Sequence, residues 1–372
     1  MKIFKLFKVF TGKIEGKVRT YFSILTGKNF TKPEELYYFI SQKCNFRCQM
    51  CTTWKDGLHE DLHKNLTIEQ VKNVIDQAAD WKIRNFGVCG GEPLLFKEKL
   101  LAILEYANKK GLYTHFVTNG WLLDEDFLRK YDQIGGGHIS LSCDAVGLLH
   151  DELRGMPGAY THVQKALEIF AKVNPKNILL KINLVVSDKN LDEILNVIEL
   201  TEKNNASIFL QPYDPCNWTT RNSLDQKQYH ETYPLWVSEI DNAKLEKVIN
   251  EIINIKARKP SLILNSVEHL KAFPTYFSLK TKLDKCYIGF KSLFINNNGD
   301  IVCCKFGTLG NVLNSSLKEI WDSKAYQDLR KAALKCNFNC LLGCMYNPSI
   351  FSWIKSGLHL ILKKKNENIA NQ

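Results

Sequence analysis

No apolar run in this chain approaches the roughly 18 residues that a bilayer-spanning helix needs, so no transmembrane segment is expected. No small-residue cleavage site follows the start, and Lys2, Lys5 and Lys8 interrupt what would be the apolar core of a signal peptide. Low-complexity tracts and short-period repeats are also missing. With 45% apolar residues the chain is neither disordered nor, with 21 Gly and 10 Pro, collagen-like. The middle of the chain lacks clustered Lys and Arg. Of the formal net charge of +11, residues 1–30 hold +6 and residues 347–372 hold +3, leaving +2 for everything between. That argues against a nucleic-acid groove in the body of the protein. With no export signal, a cytoplasmic location is expected, and the twelve cysteines read as metal ligands or free thiols rather than disulfides.

At about 100–200 residues per domain, 372 residues allow two or three domains. From Glu35 to Pro212, strand-like runs alternate with helical ones. The strands read Leu36–Ser41, Asn85–Cys89, Tyr113–Thr118, His138–Cys143, Ile178–Val186 and Ser207–Gln211. Between them, apolar residues recur at three- and four-residue spacing, as in Ile68, Val71, Val74 and Ile75, and Thr67 with Gln70 forms a capping box. Six such repeats predict parallel strands joined by right-handed crossovers, hence an open or closed α/β barrel with ligands at the carboxyl ends of the strands. Residues 225–280 read as helical and connective. Residues 286–346 differ again, with a hairpin signal at Asn296–Asp300, a helical pair near 316–334, and six cysteines.

The strongest local signal is Cys44-Asn45-Phe46-Arg47-Cys48-Gln49-Met50-Cys51, directly after the first strand. Three thiolates in eight residues can wrap a compact inorganic core in one loop, and they are one ligand short of closing a four-site centre. Two readings follow from the residues: a zinc site completed by His59 or His63, or an iron–sulfur cluster with one open iron. The second strand runs straight into Cys89-Gly90-Gly91-Glu92-Pro93. Consecutive glycines let backbone come close to a ligand, and a carboxylate there can bind an ammonium group.

Together with Val117-Thr118-Asn119-Gly120, Ser140–Asp144, Arg154-Gly155, Gly158–Tyr160 and Val185–Leu191, these motifs make the chain resemble the radical SAM superfamily over nearly all of residues 34–346. The resemblance implies a partial (β/α)6, TIM-like barrel holding a [4Fe–4S] cluster on Cys44, Cys48 and Cys51, with S-adenosylmethionine chelating the fourth iron. It implies that Glu92 and the Gly90–Gly91 backbone, running into Pro93, hold the methionyl amino group and that Met50 packs near the adenine. Thr118, Asn119 and Ser142 would lie near the ribose or methionyl end, and Arg154 would meet the carboxylate. The reaction implied is reductive cleavage of S-adenosylmethionine to a 5′-deoxyadenosyl radical that abstracts hydrogen from substrate. A low-potential donor such as flavodoxin or ferredoxin would supply the electron.

The later cysteines, with Gly299, Gly310-Asn311-Val312 and Leu317–Trp321 between them, resemble the SPASM and twitch domains, small α+β units that hold auxiliary iron–sulfur clusters. On that resemblance Cys286 and Cys304 match the spaced pair, and Cys336 and Cys340 the closing pair. Cys344 is an alternate ligand, and Cys303 competes with Cys304. The closing run is Cys336-x3-Cys340-x3-Cys344, shorter than the full SPASM pattern, so one auxiliary [4Fe–4S] cluster is expected rather than two. Cys89 and Cys143 read as core filling at the ends of buried strands, and Cys216 as a loop thiol. His138, His150 and His162 have no metal-ligand spacing.

The expected organisation is a basic amphipathic segment (1–33), a radical SAM core (34–215), a helical connector (216–280), an iron–sulfur domain (281–346) and a basic amphipathic C-terminal helix (347–372). Ile3, Phe4, Leu6, Phe7 and Phe10 oppose Lys2, Lys5 and Lys8, and Lys363–Lys365 follow an apolar stretch. Each end reads either as a helix packed on the barrel or as one lying on an anionic membrane. The substrate expected is a peptide or protein, or a carbohydrate, alcohol or lipid-linked intermediate undergoing oxidation. The short stretch before Cys44 weakens the peptide reading, because it is too short for a peptide-recognition domain. A non-catalytic metal-binding scaffold is the alternative of another class.

Overall fold

The structure of the chain, a computed structural model, describes residues 15–215, 233–279, 286–336 and 338–341. Strands β1 (Glu35–Phe39), β2 (Asn85–Cys89), β3 (Tyr113–Thr118), β4 (Gly137–Ser142), β5 (Ile178–Val186) and β6 (Ser207–Pro212) pair in parallel in chain order. The expected strands are all present, with bounds shifted by up to two residues. Alternation decides which face each residue serves: Leu36, Tyr38, Phe86, Val88, Phe116, Ile139 and Leu141 are all buried at 1% exposure or less. These face the helices, while the residues between them line the concave side of the sheet. The helix Ile68–Asp80 begins with the expected capping box, Gln70 N–H donating to Thr67 Oγ1 and Thr67 N–H to Gln70 Oε1, and buries Val71, Val74, Ile75 and Ala78.

β1 and β6 do not pair with each other, so the barrel is partial and each edge is covered differently. Beside β6 lies the connector, which contains the helices Glu239–Arg258 and Val267–Ser278. Ile208 N–H donates to Leu262 O and Leu264 N–H to Ile208 O. The Asn265 side chain accepts from Leu210 N–H and donates back to Leu210 O, standing in for one more strand residue.

Beside β1 the sheet continues with β7 (Ser292–Ile295), parallel to it, and then with β8 (Asp300–Val302) and β9 (Thr308–Asn311) in antiparallel sequence. The cysteine-rich region, read from the sequence as a small second domain, extends the barrel sheet to nine strands. The open edge of β1 is the physical reason, since its backbone N–H and C=O groups need partners. Gly299, at φ +91, makes the β7–β8 turn at the position the hairpin signal marked. The helices Leu317–Asp322 and Lys324–Leu334 follow, and Arg330 ties them to β7's approach through Gly289 O (2.8 Å) and Trp321 O (2.8 Å).

A candidate cofactor site at the carboxyl ends of the strands

The cluster loop is seated by backbone packing. Gly91 N–H donates to Ser41 O (2.8 Å) and Glu92 N–H to Lys43 O (2.9 Å). A Cβ at Gly90 would collide with Ser41 O, one at Gly91 with Lys43 O, and one at Gly57 with Gln42 O. The glycines were read as leaving room for a ligand; the group they admit here is the chain's own segment 41–43. Gly90 also sits at φ +133, a conformation other residues rarely adopt.

Glu60 completes the clamp. Its Oε2 accepts from Ser41 Oγ (2.5 Å), Gln42 N–H (3.0 Å) and Lys43 N–H (3.0 Å), while its Oε1 accepts from Asn65 Nδ2 (2.9 Å) and Asn297 Nδ2 (2.8 Å). One carboxylate thus joins the loop before Cys44 to the β7–β8 turn. Sequence reasoning missed Glu60, because its partners come from both sides of a motif and from a turn 237 residues away.

Cys44, Cys48 and Cys51 gather with Phe46, Ala159, Met50, Trp121 and Met156 in one small apolar cluster. Phe46 N–H donates to Cys44 Sγ (3.4 Å). Burial pushes the Cys44 thiol up to about 12 and raises Cys48 as well. Cys44 and Cys48 must therefore each lose a tightly held proton on metal binding. Met50 is half-buried at the edge of this cluster. His59 and His63 are exposed, and among the described residues no three His, Cys, Asp or Glu side chains are arranged to enclose a single metal ion.

Glu92 lies beside this loop with 1% of its surface exposed. Its Oε1 accepts from Leu94 N–H (2.9 Å) and Thr118 Oγ1 (2.8 Å), and its Oε2 from Asn119 N–H (2.8 Å). Burial outweighs these three bonds and pushes the carboxyl up to about 7. Pro93, buried, opens the short turn that supplies Leu94. The Asn119 side chain is engaged too: Nδ2 donates to Asn45 Oδ1 (2.9 Å) and Oδ1 accepts from Trp121 N–H (3.0 Å). Thr118 and Asn119 therefore orient Glu92 and the cluster loop. Ser142, at the end of β4, is 8% exposed.

Arg154, read from the sequence as meeting the carboxylate of S-adenosylmethionine, lies against Cys48 of the cluster loop. Its Nε lies 2.7 Å from Asp144 Oδ2, close enough for an ion pair but not aligned as a hydrogen bond, and its Nη1 donates to Cys48 Sγ at 4.0 Å. Burial opposes the guanidinium charge, but Asp144 and Cys48 more than offset it and raise its pKa. Asp144 is fully buried; its Oδ1 accepts from Val185 N–H (2.9 Å), and its own N–H donates to His150 Nδ1 (3.1 Å). Arg154 thus supports the Cys48 end of the loop through β4. His162 stacks on Trp121.

In the later region Cys303 is fully buried in the core near Tyr326, while Cys304, at φ +49, is turned off β8. Cys286, Cys336 and Cys340 are half-buried, and among the described residues no three of these thiols are arranged to enclose a single metal ion. Cys344, Cys216, Met1–Ile14 and the C-terminal stretch 347–372 lie outside the described residues. Cys143 is buried as core filling. Cys89 is half-buried on the concave side, in register with Phe39, because the strand alternation turns it away from the helices.

Comparison with known proteins gives this geometry a family. Residues 38–201 match the Radical SAM superfamily and residues 286–345 the SPASM iron–sulfur cluster-binding domain. The AdoMet-dependent heme synthase of Methanosarcina barkeri is 30% identical over 178 residues, 47% of this chain and 48% of that protein. The GTP 3′,8-cyclase of Clostridium perfringens is 31% identical over 170 residues, 44% of this chain and 50% of that protein. The chain thus spans about half the length of the curated relatives it matches. Streptococcus suis SuiB bound to S-adenosylmethionine superposes with a TM-score of 0.63 at 18% identity, covering 81% of this chain and 68% of that one. The same protein bound to precursor peptide SuiA gives 0.61. At that identity the likeness shows the fold.

A radical SAM domain carries a [4Fe–4S] cluster and S-adenosylmethionine, and a SPASM domain carries auxiliary iron–sulfur clusters. The residues present fit the first of these: three cysteine thiols in an apolar cup, next to a buried carboxylate whose three bonds leave acceptor capacity for an amino group. From the motif spacing, the barrel and the two domain matches together, the chain carries a radical SAM domain, with a SPASM domain added at the β1 edge of its sheet.

Proposed function

We propose that this protein reductively cleaves S-adenosylmethionine and removes a hydrogen atom from a substrate held within the barrel. When bound, the cluster and S-adenosylmethionine supply a 5′-deoxyadenosyl radical for that abstraction. Cys44, Cys48 and Cys51 are the cluster ligands. Glu92 accepts from the methionyl amino group, with Thr118 and Asn119 fixing the direction of its lone pairs and the Gly90–Pro93 turn fixing its backbone. Phe46, Met50, Trp121 and Met156 keep water from the thiols, and a dry, sparsely hydrogen-bonded site favours low potential. Ser142 lies at the mouth of the same site. Cys286, Cys304, Cys336 and Cys340, with Cys344 as alternate, hold an auxiliary cluster that takes an electron from the product or orients substrate. The substrate is a peptide, or a carbohydrate, alcohol or lipid-linked intermediate, and a flavodoxin- or ferredoxin-type protein is the electron donor.

The observation that carries this reading is the Glu92 site pressed against the three-thiol loop by Gly90, Gly91 and Glu60. A scaffold without catalysis has no need of a buried, three-fold hydrogen-bonded carboxylate beside its thiols. The test is anaerobic reconstitution followed by dithionite. 5′-Deoxyadenosine should form, Cys48→Ala should abolish it, and two [4Fe–4S] clusters should give about eight iron and eight sulfide per chain. Zinc in place of iron, or cleavage that survives Cys48→Ala, would sink the proposal.

A further inference from the structure

Below the cofactor site, the concave face of the sheet carries polar groups that the reading above leaves unused. By register Tyr37, Gly87, His115 and His138 lie side by side across β1 to β4. A Cβ at Gly87 would strike both the Tyr37 ring and the His115 imidazole, so glycine lets the two meet across β2. Tyr37 stands edge-on to His115 at 5.6 Å, and His115 stacks on His138 at 4.5 Å. Phe294 of β7 extends this row, stacked on Tyr37 at 5.1 Å. Two residues further along β4, on the same face as His138, is Ser140, in register with Lys181 of β5. Ser142 is two residues further still, about 7 Å at the usual rise of a strand.

Three atoms in this region are buried with no hydrogen-bond partner: His115 Nδ1, His138 Nε2 and Ser140 Oγ. Ser140 has none of its surface exposed. Burial keeps both imidazoles neutral, lowering His115 to about 4 and, with His115 beside it, His138 to about 2. Each neutral ring still carries one N–H; His138 Nδ1 lies 3.3 Å from Tyr113 OH, and accepting from that hydroxyl puts the His138 N–H on the unpartnered Nε2. Lys181 lies with its Nζ 5.9 Å from the Phe209 ring centroid, and among the described residues it makes no ion pair. The carboxylate that acts on it is Glu35, at the start of β1, where it already accepts from Tyr37 OH (2.9 Å). Burial lowers the Lys181 ammonium to about 8, which marks a charge short of counter-ions.

One ammonium, one hydroxyl and two imidazole N–H groups on a shared concave face form a donor set with a single positive charge. Such a set is complementary to an oxyanion. Resting on the proposed function above, we infer that this floor of the barrel binds an oxyanion group of the substrate, carboxylate or phosphate. Lys181 supplies the charge, and Ser140, His115 and His138 the hydrogen bonds. The anion thereby anchors the substrate at its far end, with its reacting carbon toward Ser142 and the cofactor.

The test is calorimetric titration of the reconstituted holoprotein, saturated with S-adenosylmethionine, with inorganic phosphate and separately with acetate. Saturable binding of either is expected, and the tighter of the two identifies the oxyanion. Lys181→Met should weaken it about 10- to 100-fold, the loss of one charge-assisted hydrogen bond. Lys189→Met, an exposed lysine paired with Glu152, should leave it unchanged. Ser140→Ala is the milder variant should Lys181→Met fail to fold, and is expected to cost about 3- to 10-fold. Equal affinity in wild type and Lys181→Met, or no saturable binding of either anion, would overturn the inference. The wild-type preparation is also assayed for dithionite-dependent 5′-deoxyadenosine. Lys181-dependent anion binding without that product would remove the radical reading and leave this site standing; the product with Lys181-independent binding would do the reverse.

Discussion

Replacing Glu92 with Gln separates cofactor recognition from folding. The carboxylate accepts from Leu94 N–H and Thr118 Oγ1 on one oxygen and from Asn119 N–H on the other. A glutamine amide oxygen can keep the first pair, but its NH2 then faces the Asn119 N–H, donor to donor. Leaving that N–H unmet costs about 1–3 kcal/mol. Against it stands the burial of the native charge. Burial raises Glu92 from 4.5 to about 7, so the native state holds a proton that the unfolded chain has released. Apoprotein stability is then unaffected below pH 4.5, falls as pH rises through the window from 4.5 to about 7, and is level above it. The sum is on the order of 3 kcal/mol from about 2.5 pKa units. The two effects oppose each other at pH 8, and urea unfolding of apo Glu92→Gln should give a free energy within about 2 kcal/mol of wild type. Binding has no such offset. Losing the charge-assisted bond from the methionyl amino group to the Glu92 carboxylate costs about 1.5–3 kcal/mol, or about 10- to 150-fold in the dissociation constant of S-adenosylmethionine by equilibrium dialysis at pH 8. Wild-type affinity should also decline as pH falls below about 7, while Glu92→Gln stays flat. Affinity of the variant within twofold of wild type, or matching pH slopes, would refute the role given to Glu92.

Glu60→Gln turns an NH2 toward donors from the cluster loop or from Asn65 and Asn297, and should lower urea-unfolding stability by about 1–3 kcal/mol; an unchanged midpoint would show that the clamp contributes nothing. Arg154→Met leaves Asp144 fully buried without its cation and should cost about 3–5 kcal/mol, with Arg154→Met/Asp144→Asn recovering most of it by the same assay. No helix among the described residues is long and apolar enough to cross a membrane, yet the helix at residues 15–26 exposes Tyr21, Phe22 and Leu25. Peripheral binding through the basic ends predicts co-sedimentation with phosphatidylserine vesicles that is lost on raising salt; sedimentation equal on neutral vesicles would remove the electrostatic part of that reading.

The parts legible in advance share one property, short range along the chain. Residues Asn85–Cys89 and Tyr113–Thr118 alternate or run apolar because one face must meet helices, and that pattern is written locally. Thr67 with Gln70, and the turn around Gly299, are contained within a few positions. Cys44, Cys48 and Cys51 sit in one loop, and Glu92 follows its strand directly. What was missed depends on partners far apart in the chain. Glu60 matters because Asn297 and Ser41 both reach it; Arg154 has a counter-charge because Asp144 follows β4; and the strands after Cys286 join the barrel because β1 has an open edge.

Periodicity and contiguous motifs by themselves settled that six strands alternate with helices and that thiols and a carboxylate stand at the strand ends. They could do so because side-chain direction in a strand and ligand spacing in a loop are properties of neighbouring residues. Only the tertiary structure decided what surrounds those groups: Gly91 against Lys43, Glu60 bridging to the β7–β8 turn, and Lys181 in register with Ser140 on the face that carries the stacked His115 and His138. Burial, counter-charge and hydrogen-bond supply are set by residues brought together from separate strands, and no local pattern encodes them.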